Sequence, residues 1–153
     1  DTKGTELVSL ANVNATLKYE FRSFWGMEFK DASTLILSDG SNYYNYNFTT
    51  KTGNLIATTP DGAAGQTLNP SKDLVAFTEA NNLYFIDKNN SKVAVTAETN
   101  TGIVSGQTYA RSEFGITQGI FWSPKSTYLA FYQKDETQVA DYPLVDITET
   151  PGK

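Results

Sequence analysis

Short apolar runs alternate with polar turns along most of the chain, and one combination of turn and apolar run recurs. Residues 70–77 (PSKDLVAF) and 124–131 (PKSTYLAF) both place Ala-Phe six residues after a proline, and residues 31–38 (DASTLILS) form a weaker copy. Proline or aspartate with serine and lysine favours a tight turn, and the following apolar run suits a buried strand. The pattern therefore predicts the same turn and strand three times.

Two further strands are predicted behind each of the first two copies. The second strands are rich in aromatic residues and the third strands are short and apolar. The polar turns TKTG and DKNN separate them. The predicted segments are residues 42–48 (NYYNYNF), 82–86 (NLYFI), 55–58 (LIAT) and 93–96 (VAVT).

The spacing of these units predicts the fold class. Leu35 and Leu74 lie 39 residues apart, close to the roughly 40–50 residues of a β-propeller blade with three or four short strands. A β-sandwich also alternates strands and turns, but it does not require the same segment to recur. We therefore expect an all-β fold, a partial β-propeller of about two to three blades.

The N-terminal stretch has a different, helical pattern. Ser9 is a candidate N-cap, and Leu10, Val13 and Leu17 have the spacing of one helix face. We expect one short helix here. Both tryptophans, Trp25 and Trp122, are expected in the core.

The second repeat interval is longer than the first. From Pro70 to Pro124 the spacing is 54 residues, 15 more than the first interval, and the extra length falls within residues 98–118. Insertions in repeat proteins lie on one face and often carry binding residues. This segment is the leading functional candidate.

Composition and charge exclude several functions. The chain has no histidine and no cysteine, so it holds no Ser-His-Asp triad, no Cys-His pair, no disulfide and no zinc site of the usual kind. No cofactor is expected. A net charge of −5 argues against a nucleic-acid partner or an anionic membrane surface. No apolar run approaches the length of a membrane span.

Residues 108–116 (TYARSEFGI) contain the charged side chains that could carry chemistry. Arg111 and Glu113 could form a solvated surface pair worth less than ~1 kcal/mol. Alternatively, Glu113 binds an ammonium group at a cavity mouth while Arg111 orients it or holds a carbonyl oxygen. Asp135 and Glu136 could suggest glycoside cleavage, but adjacent strand residues point to opposite faces. A strand-end turn or an ion pair between blades is expected there instead.

The sequence RSEFGI, followed by FWSPKSTYLAFY at 121–132 and DETQVADYPLVDI at 135–147, resembles the N-terminal propeller of dipeptidyl peptidase IV and prolyl tripeptidyl peptidase. These are serine exopeptidases of the prolyl oligopeptidase class. The resemblance implies a propeller that caps an α/β-hydrolase domain, with a short helical insertion near 106–116. It also implies that acidic side chains of the insertion grip the substrate's α-amine.

The family role falls on Glu113, with Arg111 beside it. Dipeptidyl peptidase IV has two adjacent glutamates, whereas Ser112 precedes Glu113 here. It also contributes an arginine from a longer hairpin, while the short hairpin at 39–43 has none. Release of dipeptides and release of tripeptides therefore both remain open.

The resemblance carries expectations about the intact protein. Residues 1–153 are expected to be an N-terminal propeller fragment without the α/β-hydrolase domain or the triad, and inactive alone. The parent is expected to be periplasmic or secreted, with its leader removed before Asp1. A second copy could pair with the exposed blade edges. The rival classes are a non-catalytic propeller scaffold for protein interactions and a propeller hydrolase using its own carboxylates.

Overall fold

The computed structural model describes residues 4, 6–109 and 114–140. This part contains one helix and twelve short antiparallel strands. In chain order they are α1 (Leu10–Leu17), β1 (Glu28–Phe29), β2 (Thr34–Ser38), β3 (Asn42–Asn47), β4 (Thr52–Thr58), β5 (Ala64–Leu68), β6 (Val75–Glu79), β7 (Asn82–Ile86), β8 (Lys92–Ala94), β9 (Ile103–Ser105), β10 (Ile120–Trp122), β11 (Leu129–Phe131) and β12 (Gln133–Asp135).

The strands form successive blades of a partial β-propeller, which confirms the predicted fold class. Blade 1 is the sheet β1-β2-β3-β4, and blade 2 is the sheet β5-β6-β7-β8. In each blade, neighbours in sequence are neighbours in the sheet. Blade 3 begins with two short ladders, β10 with β11 and β9 with β12. The number of blades therefore agrees with the two to three expected.

The repeated turn of the sequence has a repeated structure. In blade 2, the Oδ1 atom of Asn69 accepts hydrogen bonds from the backbone N–H groups of Asp73 at 2.9 Å and Leu74 at 3.0 Å. Lys72 lies in the left-handed region with a φ of 58°. Asn69 is completely buried, so this side chain supplies the acceptors that the turn's backbone needs.

In blade 3, a serine takes the place of that asparagine. The Oγ atom of Ser123 accepts from the N–H groups of Thr127 at 3.1 Å and Tyr128 at 3.0 Å, and Ser126 has a φ of 57°. The N–H group of Ser71 donates to the Oγ atom of Ser126 at 3.0 Å. The equivalent turns of blades 2 and 3 are therefore in direct contact.

Apolar side chains pack between successive blades. Ile36 of β2 packs with Phe77 of β6 between blades 1 and 2, and Ala76 packs with Ile120 between blades 2 and 3. Ile36 and Ala76 both face the following blade, so they occupy corresponding positions. By the same shift, Leu37 corresponds to Phe77. The structural repeat is thus 40 residues, one more than the predicted 39. A repeat of 39 would equate side chains that lie on opposite faces of their strands, because a shift of one residue moves each side chain to the other face.

The predicted N-terminal helix is present and covers the free face of blade 1. The Oγ atom of Ser9 accepts a hydrogen bond from the N–H group of Asn12, which confirms Ser9 as the N-cap. Val13 is completely buried with Phe21, Leu37 and Tyr46. The helix therefore packs where a preceding blade would lie.

The expectation for Trp25 was wrong. Its side chain is 89% exposed, while the neighbouring Phe24 packs inward against the cluster under α1. Trp122 is half-buried beside the cluster between blades 2 and 3, and its Nε1–H group donates to the carbonyl of Thr67 at 3.0 Å. Of the two tryptophans, only Trp122 therefore contributes to an interface between blades.

Four strands, β1, β5, β9 and β12, were not predicted. Their sequences EF, AGQTL, IVS and QKD are short or poor in β-branched and aromatic residues, so pairing with a neighbouring strand decides their conformation. Strand β8 begins and ends earlier than the predicted 93–96. Within the described residues, no helix is long and apolar enough to span a membrane.

Candidate functional site

The first strand of blade 3 is divided by an excursion of the chain. Strand β9 pairs with β12, β10 pairs with β11, and Tyr132 alone separates β11 from β12. The carbonyl of Tyr132 accepts from the N–H group of Gly106 at 2.8 Å, and its N–H group donates to the carbonyl of Gly119 at 3.0 Å. Residues 103–106 and 119–122 are therefore two halves of one strand, and residues 107–118 leave it between them.

This excursion identifies the inserted segment more closely than the sequence did. The predicted interval was 98–118, and residues 98–106 now belong to the approach to blade 3 and to β9 itself. The insertion thus interrupts a strand of blade 3, and it does not extend a turn at the end of a hairpin.

The two ends of the excursion lie against each other, and we call this region, Gly106, Gln107 and Gly119, the neck. A Cβ atom added to Gly119 would overlap the carbonyl oxygens of Gln107 and Gly106. One at Gly106 would lie 2.9 Å from the Cγ2 atom of Thr78, and Gly106 itself has a φ of 77°. Glycine is therefore required at Gly119 for space, and at Gly106 for space and backbone conformation.

The neck is bonded to blade 2 as well as to blade 3. The Nε2 atom of Gln107 donates to the carbonyl of Ala80 at 3.0 Å, and the N–H group of Ser105 donates to the carbonyl of Asn81 at 3.0 Å. Ala80 and Asn81 form the tight hairpin between β6 and β7. Two blades thus hold the base of the excursion.

An open hollow of about 570 Å³ lies beside the neck, between it and β5. Glycine backbone and amide and hydroxyl side chains surround it, and none of the described residues that line it is charged. Gly65, with a φ of 62°, lies where the register of β5 against β6 is interrupted. This surface can offer neutral hydrogen-bonding groups to a ligand, while any charge must come from elsewhere.

Arg111 and Glu113, the predicted site residues, lie outside the described residues, as do the other residues of 110–113 in the middle of the predicted helical insertion near 106–116. The residues on either side are described. The ring centroid of Tyr109 lies 5.0 Å from that of Tyr132, while Phe114 is 91% exposed. Partial burial raises the pKa of Tyr109, although nearby Lys134 acts in the opposite direction. The segment between them therefore begins at a packed aromatic residue and ends at an exposed one.

A second hollow of about 750 Å³ lies beside the hairpin between β2 and β3. The hairpin is short, as predicted, with Asp39, Gly40 and Ser41 between the strands. Arg22 and the exposed Trp25 line the hollow, and the sequence had suggested no binding role for either. No periodic signal marks them, because both lie in the irregular segment between α1 and β1.

The carboxylate of Asp39 organises this hairpin. It accepts from the hydroxyl of Tyr19 and from the N–H groups of Ser41 at 2.9 Å and Asn42 at 2.7 Å. Partial burial acts to raise the pKa of Asp39, but these hydrogen bonds outweigh it and lower the pKa to about 2. Asp39 is therefore a structural carboxylate whose acceptor atoms are already in use.

The other acidic candidates also have structural contacts. Asp135 ends β12 and accepts from the N–H group of Thr137 at 2.9 Å and from its hydroxyl at 2.6 Å. Glu136 pairs with Lys134. The predicted strand-end turn is confirmed, and the ion pair lies within blade 3. Across the residues that the structure places, no three Asp or Glu side chains form a group that could hold a metal ion.

The comparison with known protein families accounts for this combination of blades and insertion. The family described as "Dipeptidyl peptidase IV (DPP IV) N-terminal region" matches residues 37–152, well over half of the chain. The chain belongs to this family. The match includes the repeated turns of blades 2 and 3, the neck and the whole excursion.

The DPP IV relatives agree in sequence and in structure. Proteins named probable dipeptidyl-aminopeptidase B are 28% identical over 78% of this chain in Ajellomyces dermatitidis and 30% identical over 55% in Chaetomium globosum. A Bacteroides ovatus protein assigned as a dipeptidyl aminopeptidase IV matches 99% of the chain at 35% identity with a TM-score of 0.81. Porphyromonas gingivalis dipeptidyl peptidase 4 shares the fold, with 22% identity, a TM-score of 0.55 and 82% of the chain covered.

The chain corresponds to a small part of these DPP IV relatives. It spans 15% of the Ajellomyces protein, 10% of the Chaetomium protein, 21% of the Bacteroides chain and 18% of the Porphyromonas chain. It is thus part of the N-terminal propeller region of the dipeptidyl peptidase family, and the described residues form blades 1 and 2, part of blade 3 and the base of the insertion.

Proposed function

We propose that this chain is the part of a serine exopeptidase that recognises the substrate's N-terminus and gates access to the catalytic site. The intact enzyme would release proline-containing dipeptides or tripeptides from peptide N-termini. The observation that carries the proposal is the excursion 107–118, which leaves the first strand of blade 3 through a neck bonded to two blades. Family membership supplies the reaction class.

In this proposal Glu113 binds the free α-amine of the peptide, and Arg111 orients that carboxylate or holds a substrate carbonyl. A carboxylate in a partly dehydrated cavity favours a protonated amine, because a blocked terminus leaves the charge unpaired at a cost of about 1–3 kcal/mol. The uncharged hollow beside the neck supports this assignment, since no described charge there would compete for the amine. Peptides without a free N-terminus would thereby be rejected.

The remaining parts of the enzyme belong to the same proposal. Residues 1–153 form an N-terminal section of the propeller, and an α/β-hydrolase domain elsewhere in the intact protein supplies serine, aspartate and histidine. We place that protein in the periplasm or outside the cell. Among the described strands, β4 and β8 each have one paired edge, so a second copy is the proposed partner of an exposed blade edge. Size-exclusion chromatography with light scattering of the intact protein tests this pairing.

The amine-binding role is tested by Glu113→Gln in the full-length enzyme, with matched peptides carrying free or acetylated N-termini. Glu28→Gln is the control, because Glu28 is a carboxylate paired with Lys72 between blades 1 and 2. We expect Glu113→Gln to lower kcat/KM for free peptides by about tenfold or more, from the loss of one charge-assisted contact. Acetylated peptides should change little, and Glu28→Gln should leave the ratio unchanged.

Two results would contradict the proposal. One is an unchanged preference for free N-termini in Glu113→Gln. The other is an intact protein that has no G-x-S-x-G sequence with later aspartate and histidine. The second result would leave the alternative, a non-catalytic propeller that serves as a scaffold for protein interactions.

A further inference from the structure

The neck is tightly packed between its two stems, Gly106 and Gln107 on one side and Gly119 on the other. The Gly119 backbone lies so close to the carbonyl groups of Gly106 and Gln107 that any side chain there would push the stems apart. Both stems are also bonded to the same residue, Tyr132. A displacement at Gly119 must therefore either break the Tyr132 ladder or move the excursion relative to blade 3.

Gln107 holds the neck against blade 2. Its Nε2 atom bonds the carbonyl of Ala80, in a hairpin of the neighbouring blade, and Ala80 itself is held at a φ of 50°. This side-chain bond connects the excursion to blade 2. The bond from Ser105 to Asn81 also connects to blade 2, but it lies just before the excursion begins. Gln107 therefore fixes the first residue of the excursion against blade 2.

We propose that Gly119 and Gln107 are positioning residues for recognition of the substrate N-terminus, an inference that rests on the proposed function. An exopeptidase that measures from the amine must hold its amine-binding group at a constant distance from the cleavage point. Misplacement by about 1 Å can cost roughly 100-fold in rate. The neck holds the two ends of the excursion, Gln107 and Gly119, against blades 2 and 3, so a change there is expected to act on the position of the group between them.

The test compares kcat/KM for matched free and acetylated peptides in the full-length enzyme. Gly119→Ala should lower the ratio of free to acetylated turnover by about tenfold to 100-fold, because a displacement of about 1 Å can cost roughly 100-fold in rate. Gly53→Ala is the matched control, since a Cβ atom there also overlaps a backbone carbonyl, that of Asn45, but in blade 1. It should reduce stability and leave the ratio unchanged, because loss of folded enzyme affects both peptides equally.

A second variant keeps the inference testable if Gly119→Ala does not fold. Gln107→Met retains the length of the side chain and removes the donor to Ala80. We expect it to lower the ratio about threefold to fivefold, equivalent to the loss of one exposed hydrogen bond, with most of the change in KM. Its effect should not add to that of Glu113→Gln in the double variant, because both act on the same recognition step.

The outcomes separate the two claims. If Glu113→Gln lowers the ratio while Gly119→Ala and Gln107→Met do not, the positioning inference is wrong and the proposed function stands. If Glu113→Gln also leaves the ratio unchanged, the proposed function is wrong and the inference falls with it. An equal loss of the ratio in Gly53→Ala would overturn the inference, because the effect would then be general.

Discussion

Asn69 provides a sharp test of how the repeated turn is stabilised. Its Oδ1 atom accepts two backbone N–H groups, those of Asp73 and Leu74, and its Nδ2 atom donates to the carboxylate of Asp73 at 2.7 Å. The side chain is completely buried. Asn69→Ala therefore removes three hydrogen bonds and leaves two backbone donors that have limited access to water.

The expected cost follows from these contacts. Each buried donor without a partner costs about 1–3 kcal/mol, so about 3 kcal/mol is a reasonable total for a turn that is only partly buried. This corresponds to a shift of roughly 150-fold in the opening equilibrium. Hydrogen exchange measured by mass spectrometry in the intact protein should show that acceleration in peptides covering residues 69–79.

Ser123→Ala is the natural comparison, because Ser123 occupies the same position in blade 3. Ser123 is half-buried, and its bonding partners Thr127 and Tyr128 are exposed, so water can replace the hydroxyl. We expect Ser123→Ala to destabilise the turn by about 1 kcal/mol, which corresponds to roughly fivefold faster exchange. Asn69→Ser should recover part of the protection lost in Asn69→Ala. The reasoning is refuted if Asn69→Ala exchanges like the wild type, or if Ser123→Ala costs more than Asn69→Ala.

The remaining predictions concern the hairpin of blade 1 and the contact between blades 2 and 3. Hydrogen bonds lower the pKa of Asp39 from 3.8 to about 2, so its stabilisation is complete above about pH 4 and is lost as pH falls towards 2. Asp39→Asn should therefore destabilise the hairpin at pH 7, by about 1 kcal/mol after allowing for its exposure, and not at pH 2, as measured by thermal unfolding across this range. An equal loss of stability in Asp39→Asn at pH 7 and at pH 2 would contradict this prediction. Trp122→Phe removes the bond to the Thr67 carbonyl and should cost about 1 kcal/mol. Exchange in residues 64–68 should accelerate about fivefold, whereas unchanged exchange there would mean that the bond contributes nothing.

Much of the fold could be predicted from local sequence. Ser9 could be recognised as an N-cap because capping is a contact between residues three apart. The repeated turns could be recognised because their bonds join Asn69 with Asp73 and Ser123 with Thr127, over four residues. Strands such as β3 and β7 carry enough aromatic residues to be identified alone.

The exact repeat and the core positions needed tertiary information. The period was predicted one residue short, because leucine and isoleucine at 35, 36 and 37 are equally apolar and only packing shows which faces blade 2. Trp25 was predicted in the core for its size, but Phe24 occupies the inward position beside it. Apolar character alone does not specify a face in so short a segment.

By itself the sequence determined the class of fold, the presence of an insertion and its two charged candidates, because repeats, length differences and residue types are properties of the chain. Tertiary structure decided where the insertion is mounted. Gly106 and Gly119 meet at Tyr132, and Gln107 reaches Ala80 across 27 residues. Such contacts depend on how blades pack in space, and no local pattern encodes them.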